Sequence, residues 1–455
     1  MNQRYLRKRA FYLAVLARKL RSFDDVQDLT FTYHQGNAMR PILIVKPKGK
    51  GFKVRLHPYP EEGVFRLNRF HLDKNNVRQW WYRQEEKQTA HSREGDSPEL
   101  GPATPHYNVW ILRDLVWDVN EGHAVHQLWG GAGLTDGISL LKVWLHQREL
   151  DQGIGSFSNY IMLMFVVYLL SERKLSPLMS SYQVMRNTLL QLSQSDWCNH
   201  GISLAGDVTS EDDQPSLEDF HRSFDVVFID RTGYLNLTAD VCRATWDRVK
   251  HEARLSIEFL ETPGVDAFET LFMTPVKFIN TFDQCFHVKT SDRLLKCAKH
   301  LSVDSHSIDV CGITTVACLP KLIELLYKAL GKRIQLLGLK LTPPDQWNIN
   351  ESPPTKDVMT LTFGLLLNPE AAMSMVDKGP SADSPEAAEF RQFWGDKSEL
   401  RRFQDGSICE AAVWSCKTLA ERRKISAKIV KHILNRYTIY SMCNLYIYIY
   451  IYIYI

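Results

Sequence analysis

The sequence predicts an α+β protein of about three domains. A length of 455 residues is roughly three times the ~150 residues of a typical domain. The composition, 44% hydrophobic and 24% charged, is that of a globular chain and excludes wholesale disorder or a fibrous structure. Short alternating segments sit near the amino terminus and again after residue 330, with amphipathic helical stretches between them.

Taken in order, Leu6, Ala10, Leu13, Ala17 and Leu20 recur at helical spacing and give one apolar face. Arg4, Arg7, Lys8, Arg9, Arg18, Lys19 and Arg21 decorate the rest of that helix. Strands are expected over 29–33, 42–45 and 52–56, the last with Phe52, Val54 and Leu56 on one side and Lys53, Arg55 and His57 on the other. Residues 46–51 are a Pro/Gly turn that carries Lys46, Lys48 and Lys50 at its tip. The stretch 84–105, with three prolines and Leu100 as its one large apolar residue, reads as a surface loop.

Helices dominate from Thr135. Asp136 is a candidate cap for a helix to about residue 150, with Ile138, Leu141, Trp144 and Leu145 inward. Gly153 and Gly155 break it before an apolar helix over 157–171, whose ten-residue apolar core spans about 15 Å and fits a buried helix rather than a bilayer. Further helices are expected over 180–192 and 244–260, with an acidic loop at 205–216 and a hairpin over 226–237 between them. The third part starts near Pro275. It holds a helix over 319–330 stopped by Gly331, a strand over 333–339, a proline-rich loop over 341–357, a strand over 360–367, short helices over 369–376 and 385–394, and extended structure over 400–414 around Asp405-Gly406.

Charge and chemistry narrow the function. Residues 1–93 hold 20 of the 55 Lys/Arg and 8 of the 52 Asp/Glu, so a positive end sits on a near-neutral chain and nucleic acid leads the candidate partners. The nine cysteines form no CxxC pair, which argues for reduced thiols rather than a disulfide framework or zinc ribbon. No P-loop, HExxH or GxSxG motif is present. His123 and His126 lack a companion ligand signature, and Gly130-Gly131-Ala132-Gly133 fits a turn better than a phosphate cradle. Two-metal nucleotidyl transfer needs an Asp-x-Asp pair downstream of a Gly-Ser, and neither Gly155-Ser156 nor Gly406-Ser407 is followed by one.

Two strings carry a family resemblance. Residues 140–150, with Lys142 and Trp144, followed by Gly155-Ser156-Phe157-Ser158-Asn159-Tyr160, are similar to the helical domain of poly(A) polymerases and 2′-5′-oligoadenylate synthetases. Here Trp144 and Tyr160 are open to either core packing or nucleotide contact. The string from Phe390 through Trp394, Arg401 and Arg402 to Asp405-Gly406-Ser407 resembles the nucleolar RNA-associated protein family, Nrap, as do residues 2–10 and 251–256.

The resemblance implies a partial nucleotidyltransferase-like α/β domain over 1–130, a PAP/OAS-like helical domain over 134–273 and a further α+β domain over 275–436, with 437–455 left as a low-complexity tail expected to be an artefact. It implies a chain that starts inside the first domain and stops before the second half of a longer protein. The Tyr-Ile run of residues 446–455 is expected to be a translated dinucleotide repeat, a zipper-prone strand without a partner inside the fold. The implied function is a non-catalytic RNA-associated scaffold of the nucleolar small-subunit processome, acting on pre-rRNA and linked to tRNA export. Its partners would be pre-rRNA or other structured RNA and processome proteins, with no cofactor, catalytic residue, bound metal, membrane or small-molecule substrate. One alternative is an active RNA nucleotidyltransferase whose carboxylates lie outside this chain; another is a truncated product without stable function. The residues expected to meet RNA are Arg4, Lys8, Lys46, Lys48, Lys50, Lys53, Arg55, Lys142, Arg401 and Arg402.

Overall fold

The computed structural model describes residues 2–34, 40–58, 60, 65–77, 103–206, 214–289, 314–342, 346–351, 360–437 and 446–448. Most of the loops expected at 84–105 and 205–216 lie outside the described residues.

Helix α1 (Asn2–Leu20) lays Leu13 and Ala17 on an antiparallel sheet of β1 (Val26–Tyr33), β2 (Pro41–Pro47) and β3 (Val54–Leu56), where they meet Leu29, Leu43 and Val45. Leu43 pairs with Leu56 and Val45 with Val54. The strand expected over 52–56 is shorter and lies at the sheet edge: Phe52 and Val54 are exposed, and Leu56 alone of their set packs on the core.

The helical unit begins earlier than expected. Helices α2 (Pro105–Leu115) and α3 (Trp117–Leu128) precede α4 (Ala132–Gln147), which starts on Gly131 rather than at Asp136. Seven of the eleven α2 residues are buried, the polar Asn108 and Asp114 among them. Helix α5 (Asn159–Ser171) is apolar all round, with Met162, Met164, Phe165, Val166 and Val167 fully buried. Among the described residues no helix is long and apolar enough to cross a membrane. Ser158 caps α5, its Oγ accepting the Ile161 N–H at 3.3 Å, and a capping box of Ser180 and Gln183 starts α6 (Ser181–Gln194). The hairpin expected over 226–237 shrinks to an Ile229–Asn236 bridge; β4 (Ile202–Ser203) pairs in parallel with β5 (Phe228–Ile229), on either side of α7 (Leu217–Ser223). Helix α8 (Arg243–Glu261) closes the unit, its Ser256 Oγ accepting the Trp144 indole N–H at 2.8 Å.

The third unit contains β6 (Gln284–Lys289), α9 (Thr314–Leu330), β7 (Ile334–Thr342), β8 (Trp347–Asn348) and β9 (Thr360–Leu367). It continues with β10 (Val376–Ser381), α10 (Glu386–Trp394), β11 (Ser398–Arg402), β12 (Ile408–Val413), α11 (Ile425–Tyr437) and β13 (Tyr446–Tyr448). Strands β13-β6-β9-β7 form one sheet and β10-β12-β11 another. Two expectations fail here. Residues 369–376 are turns leading into β10, not a helix. The tail is not partnerless: Tyr446, Ile447 and Tyr448 pair with His287, Phe286 and Cys285, because β6 offers an open edge that an alternating strand can complete.

The units interlock. The expected proline-rich loop contains β8, which crosses to the N-terminal sheet and pairs with β1, Trp347 opposite Phe31 and its ring 4.6 Å from that of Tyr33. The Ile154 N–H donates to the Leu341 carbonyl at 2.8 Å, and Lys340 meets Glu149 at 2.7 Å.

Candidate functional site

The residues expected to meet RNA do not converge. Lys48, Lys50, Lys53 and Arg55 stand exposed on the β2–β3 hairpin with Lys46 half-buried beside them. Lys8 is exposed on α1; the side chain of Arg4 lies outside the described residues. Lys142 is on the outer face of α4, away from the cleft described below, while its neighbour Trp144 is core. Arg401 and Arg402 lie on the exposed edge strand β11, and Arg401 is held by Glu399 at 3.2 Å. Asp405 is occupied by Lys378 at 2.8 Å, and its side chain also accepts from Ser407, which pins the β11–β12 turn. His123 faces Arg231 rather than a metal-ligand set, and the α4 backbone at Gly133 packs where an added Cβ would lie 2.3 Å from the Met179 carbonyl.

A different set of residues does converge. A cavity of about 530 Å³ opens between the N-terminal sheet and the helical unit. Its sheet side is His34, Arg40, Arg55, Leu56, His57 and Pro58; its helical side is Arg113, Asp114, Trp117, Ser156, Ser158, Tyr160 and Ile161, with Leu237, Asp240 and Val241 behind. Tyr160 is therefore a cavity residue, its ring stacked on Trp117 with centroids 5.1 Å apart.

The electrostatics of this cavity are set by arginines. Asp114 is clamped by two: Arg9 reaches one carboxylate oxygen, and Arg40 donates to the other at 2.6 Å. Asp240 accepts from Arg113 at 2.8 Å, and that guanidinium holds its carboxyl well below the usual range despite burial. Both carboxylates that line the cavity thus have arginine partners. Burial lowers Arg40 to about 10, although Asp114 pulls the other way. His34 and His57 meet edge to face at 5.9 Å. Burial and the neighbouring arginines hold His34 well below its ordinary value, and desolvation of its ring with the Arg9 and Arg40 charges brings His57, which keeps an exposed side, to about 4, so both imidazoles are neutral at pH 7. Among the described residues no group of three or more His, Cys, Asp or Glu is placed to hold a metal ion.

Of this cavity, sequence reasoning named Arg55, Leu56 and His57 at the edge strand and Ser156, Ser158 and Tyr160 in the Gly-Ser string. It counted Arg9 as surface decoration and passed over Arg40, Arg113, Asp114 and Asp240. The two acids in a basic, apolar setting were the available signal, but nothing local says which arginine each one meets.

Comparison with known proteins covers nearly the whole chain. The family model described as Nrap protein domain 1 matches residues 1–125, the Nrap protein PAP/OAS-like domain matches 133–275, and Nrap protein domain 3 matches 278–438. Nucleolar protein 6 of Homo sapiens is 44% identical over 439 residues, 95% of this chain and 37% of its own length. The Xenopus laevis protein of that name is 43% identical over 438 residues, with the same coverage of each. The Drosophila willistoni protein is 35% identical over 452 residues, 96% of this chain and 36% of its own. The chain therefore spans little more than a third of the length of these relatives.

Proposed function

The chain belongs to the Nrap family, and on that premise we propose that it is a non-catalytic, RNA-associated scaffold in nucleolar pre-rRNA processing and ribosome biogenesis. The nucleolus, within the nucleus, is its compartment, as the relatives' names state of them. Within that role it serves the small-subunit processome, binds pre-rRNA or other structured RNA through its basic N-terminal region, and takes part in tRNA export.

The observation that carries the non-catalytic reading is the state of Asp114 and Asp240. Two-metal nucleotidyl transfer needs carboxylates free to bridge metal ions. In this cleft each carboxylate is spent on arginine, and the charge that faces the cavity is positive. The lysine-bearing hairpin supports RNA contact, since exposed lysines at a turn give sequence-independent phosphate binding. The test is a primer-extension assay with purified chain, Mg²⁺ or Mn²⁺, labelled ATP or CTP and an RNA primer, run beside RNA crosslinking in cells. Crosslinks without extension are the expected result. Metal-dependent incorporation that survives stringent purification would favour an active nucleotidyltransferase instead.

A further inference from the structure

Helix α1 contains no Asp or Glu, and its buried face packs on the N-terminal sheet through Leu13 and Ala17. Its outer face is not simply polar. Phe11 is 72% exposed and Tyr12 58%, so two adjacent aromatic rings stand in solvent. Lys8 precedes them by three and four residues, and Arg18 and Lys19 follow them by seven each, so at helical spacing all five share one face. The three bases are exposed as well. From Lys8 to Lys19 the stripe is about 16 Å long at the helical rise of ~1.5 Å per residue.

This stripe is not neutralised. Among the described residues no carboxylate pairs with Lys8, Arg18 or Lys19. Exposed bases elsewhere are held by acids: Arg222 by Asp219 at 2.8 Å, Lys321 by Glu324 at 2.8 Å and Lys328 by Glu389 at 2.9 Å. The acids nearest in sequence, Asp24 and Asp25, come after α1, in the turn to β1. There the Lys48 N–H donates to the Asp25 carbonyl at 2.7 Å, so the lysine-bearing hairpin adjoins the carboxyl end of the stripe. Arg18 and Lys19 also offset the negative end of the helix dipole. Lys8 and the two rings have no such role.

Bases at both ends of a pair of open aromatic rings suit a strand that alternates phosphates with flat π-faces. Unpaired RNA is such a strand, whereas in a duplex each base is covered by its neighbours. A lipid surface suits the helix less well, because α1 already has its apolar face on the protein. We propose that the outer face of α1 is a stacking platform for unpaired RNA, with bases on Phe11 and Tyr12 and the flanking phosphates on Lys8, Arg18 and Lys19. This rests on the RNA-associated reading above and adds the substrate class, single-stranded rather than duplex RNA.

The experiment is fluorescence anisotropy of the full chain with a short single-stranded RNA and with an RNA duplex of the same length, across a salt series. The Phe11→Ala/Tyr12→Ala variant should bind the single strand at least about tenfold more weakly, the loss of one stacked base. Its affinity for the duplex and its salt slope should not change, because no phosphate contact is removed. Both positions are exposed and alanine is the strongest helix former, so α1 is retained, which circular dichroism checks. Phe11→Tyr/Tyr12→Phe should keep the parental affinity. Lys8→Gln/Lys19→Gln should instead lower the salt slope on the single strand by about 1.4 units, two contacts at roughly 0.7 each. Parental affinity for the single strand in the double alanine variant overturns the platform, and RNA binding by the parent then leaves the broader RNA-associated reading standing. Equal losses on strand and duplex also overturn it, since lost stacking cannot act on a duplex. A parent chain that binds neither RNA at low salt defeats both readings. Binding to phosphatidylserine vesicles that the double alanine variant loses while keeping its RNA affinity would assign the rings to a lipid surface and overturn the proposal.

Discussion

Arg9 of α1 and Asp114 of α2 stand 105 residues apart in sequence and meet as a buried ion pair. Arg40 takes the second oxygen of the same carboxylate. This triad is the polar joint between the N-terminal sheet unit and the helical unit, and two of its members, Arg40 and Asp114, line the cavity. Replacing Asp114 by Ala would leave two buried guanidiniums without a counter-charge. The expected loss is about 3–5 kcal/mol of folding stability, the usual consequence of breaking a buried pair by removing one partner. Chemical denaturation checks it, and a loss below about 1 kcal/mol, the scale of a surface pair, would contradict the buried-joint reading.

The cavity histidines set a pH response. Partial burial, then the Arg9 and Arg40 charges, hold His57 at about 4 against an ordinary 6.5, while Asp114 raises it and Arg55 lowers it further. A base with a depressed folded value binds fewer protons folded than unfolded between those two values. Stability therefore falls as pH drops from 6.5 toward 4. His34 acts in the same direction, lowered first by burial and then by Arg40, Arg113 and His57, and opposed by Asp240. Melting temperatures of the chain and of His57→Gln across this range should show a shallower decline in the variant. Parallel curves would show that His57 does not titrate as its surroundings dictate.

Much of the fold was legible in the sequence because local patterns dictated it. The spacing of Leu13 and Ala17 gave the buried face of α1, the apolar run after Gly155 gave α5, and the strand at Thr360–Leu367 was read to the residue. What escaped was non-local or without periodicity. Helix α2 buries the polar Asn108 and Asp114 alongside its apolar residues, which blurs its stripe. Strand β8 is two residues in a proline-rich stretch, and only the docking of Trp347 on Phe31 and Tyr33 makes it a strand. The cavity is harder still. Exposed lysines announce themselves by composition, whereas Arg9 and Arg40 look like any other members of a basic segment until the fold brings Asp114 between them.

The hairpin lysines give a prediction that needs no cavity. Lys46, Lys48, Lys50 and Lys53 cluster around the β2–β3 turn. If all four meet phosphates of single-stranded RNA, the Lys→Gln quadruple variant should lower the salt slope of log K by about 2–3 units, each contact contributing roughly 0.7. The loss should be similar on two unrelated RNAs, because phosphate contacts carry no base information. An unchanged slope in a salt titration removes the hairpin from the interface, and a loss confined to one RNA would indicate base readout.

The junction between the helical and third units should be sensitive at one glycine. Gly153 sits at φ +94°, where side chains are strained, and a Cβ there would lie 2.7 Å from the Leu341 carbonyl oxygen. That carbonyl accepts the neighbouring Ile154 N–H, so the clash falls on the bond that joins the two units. Gly406 is the matched control. It has φ +80° with nothing within 4 Å of an added Cβ, so alanine there meets backbone strain alone. Gly406→Ala should cost about 1–2 kcal/mol, the penalty for a left-handed residue. Gly153→Ala should cost more, because the backbone must also move and weaken the Ile154–Leu341 bond, an interaction worth about 1 kcal/mol. Denaturant midpoints rank the two variants, and limited proteolysis should show faster cleavage around the junction in Gly153→Ala. Equal destabilisation of both would mean that the junction gives way without loss, and the close approach of Gly153 to Leu341 would then hold nothing in place.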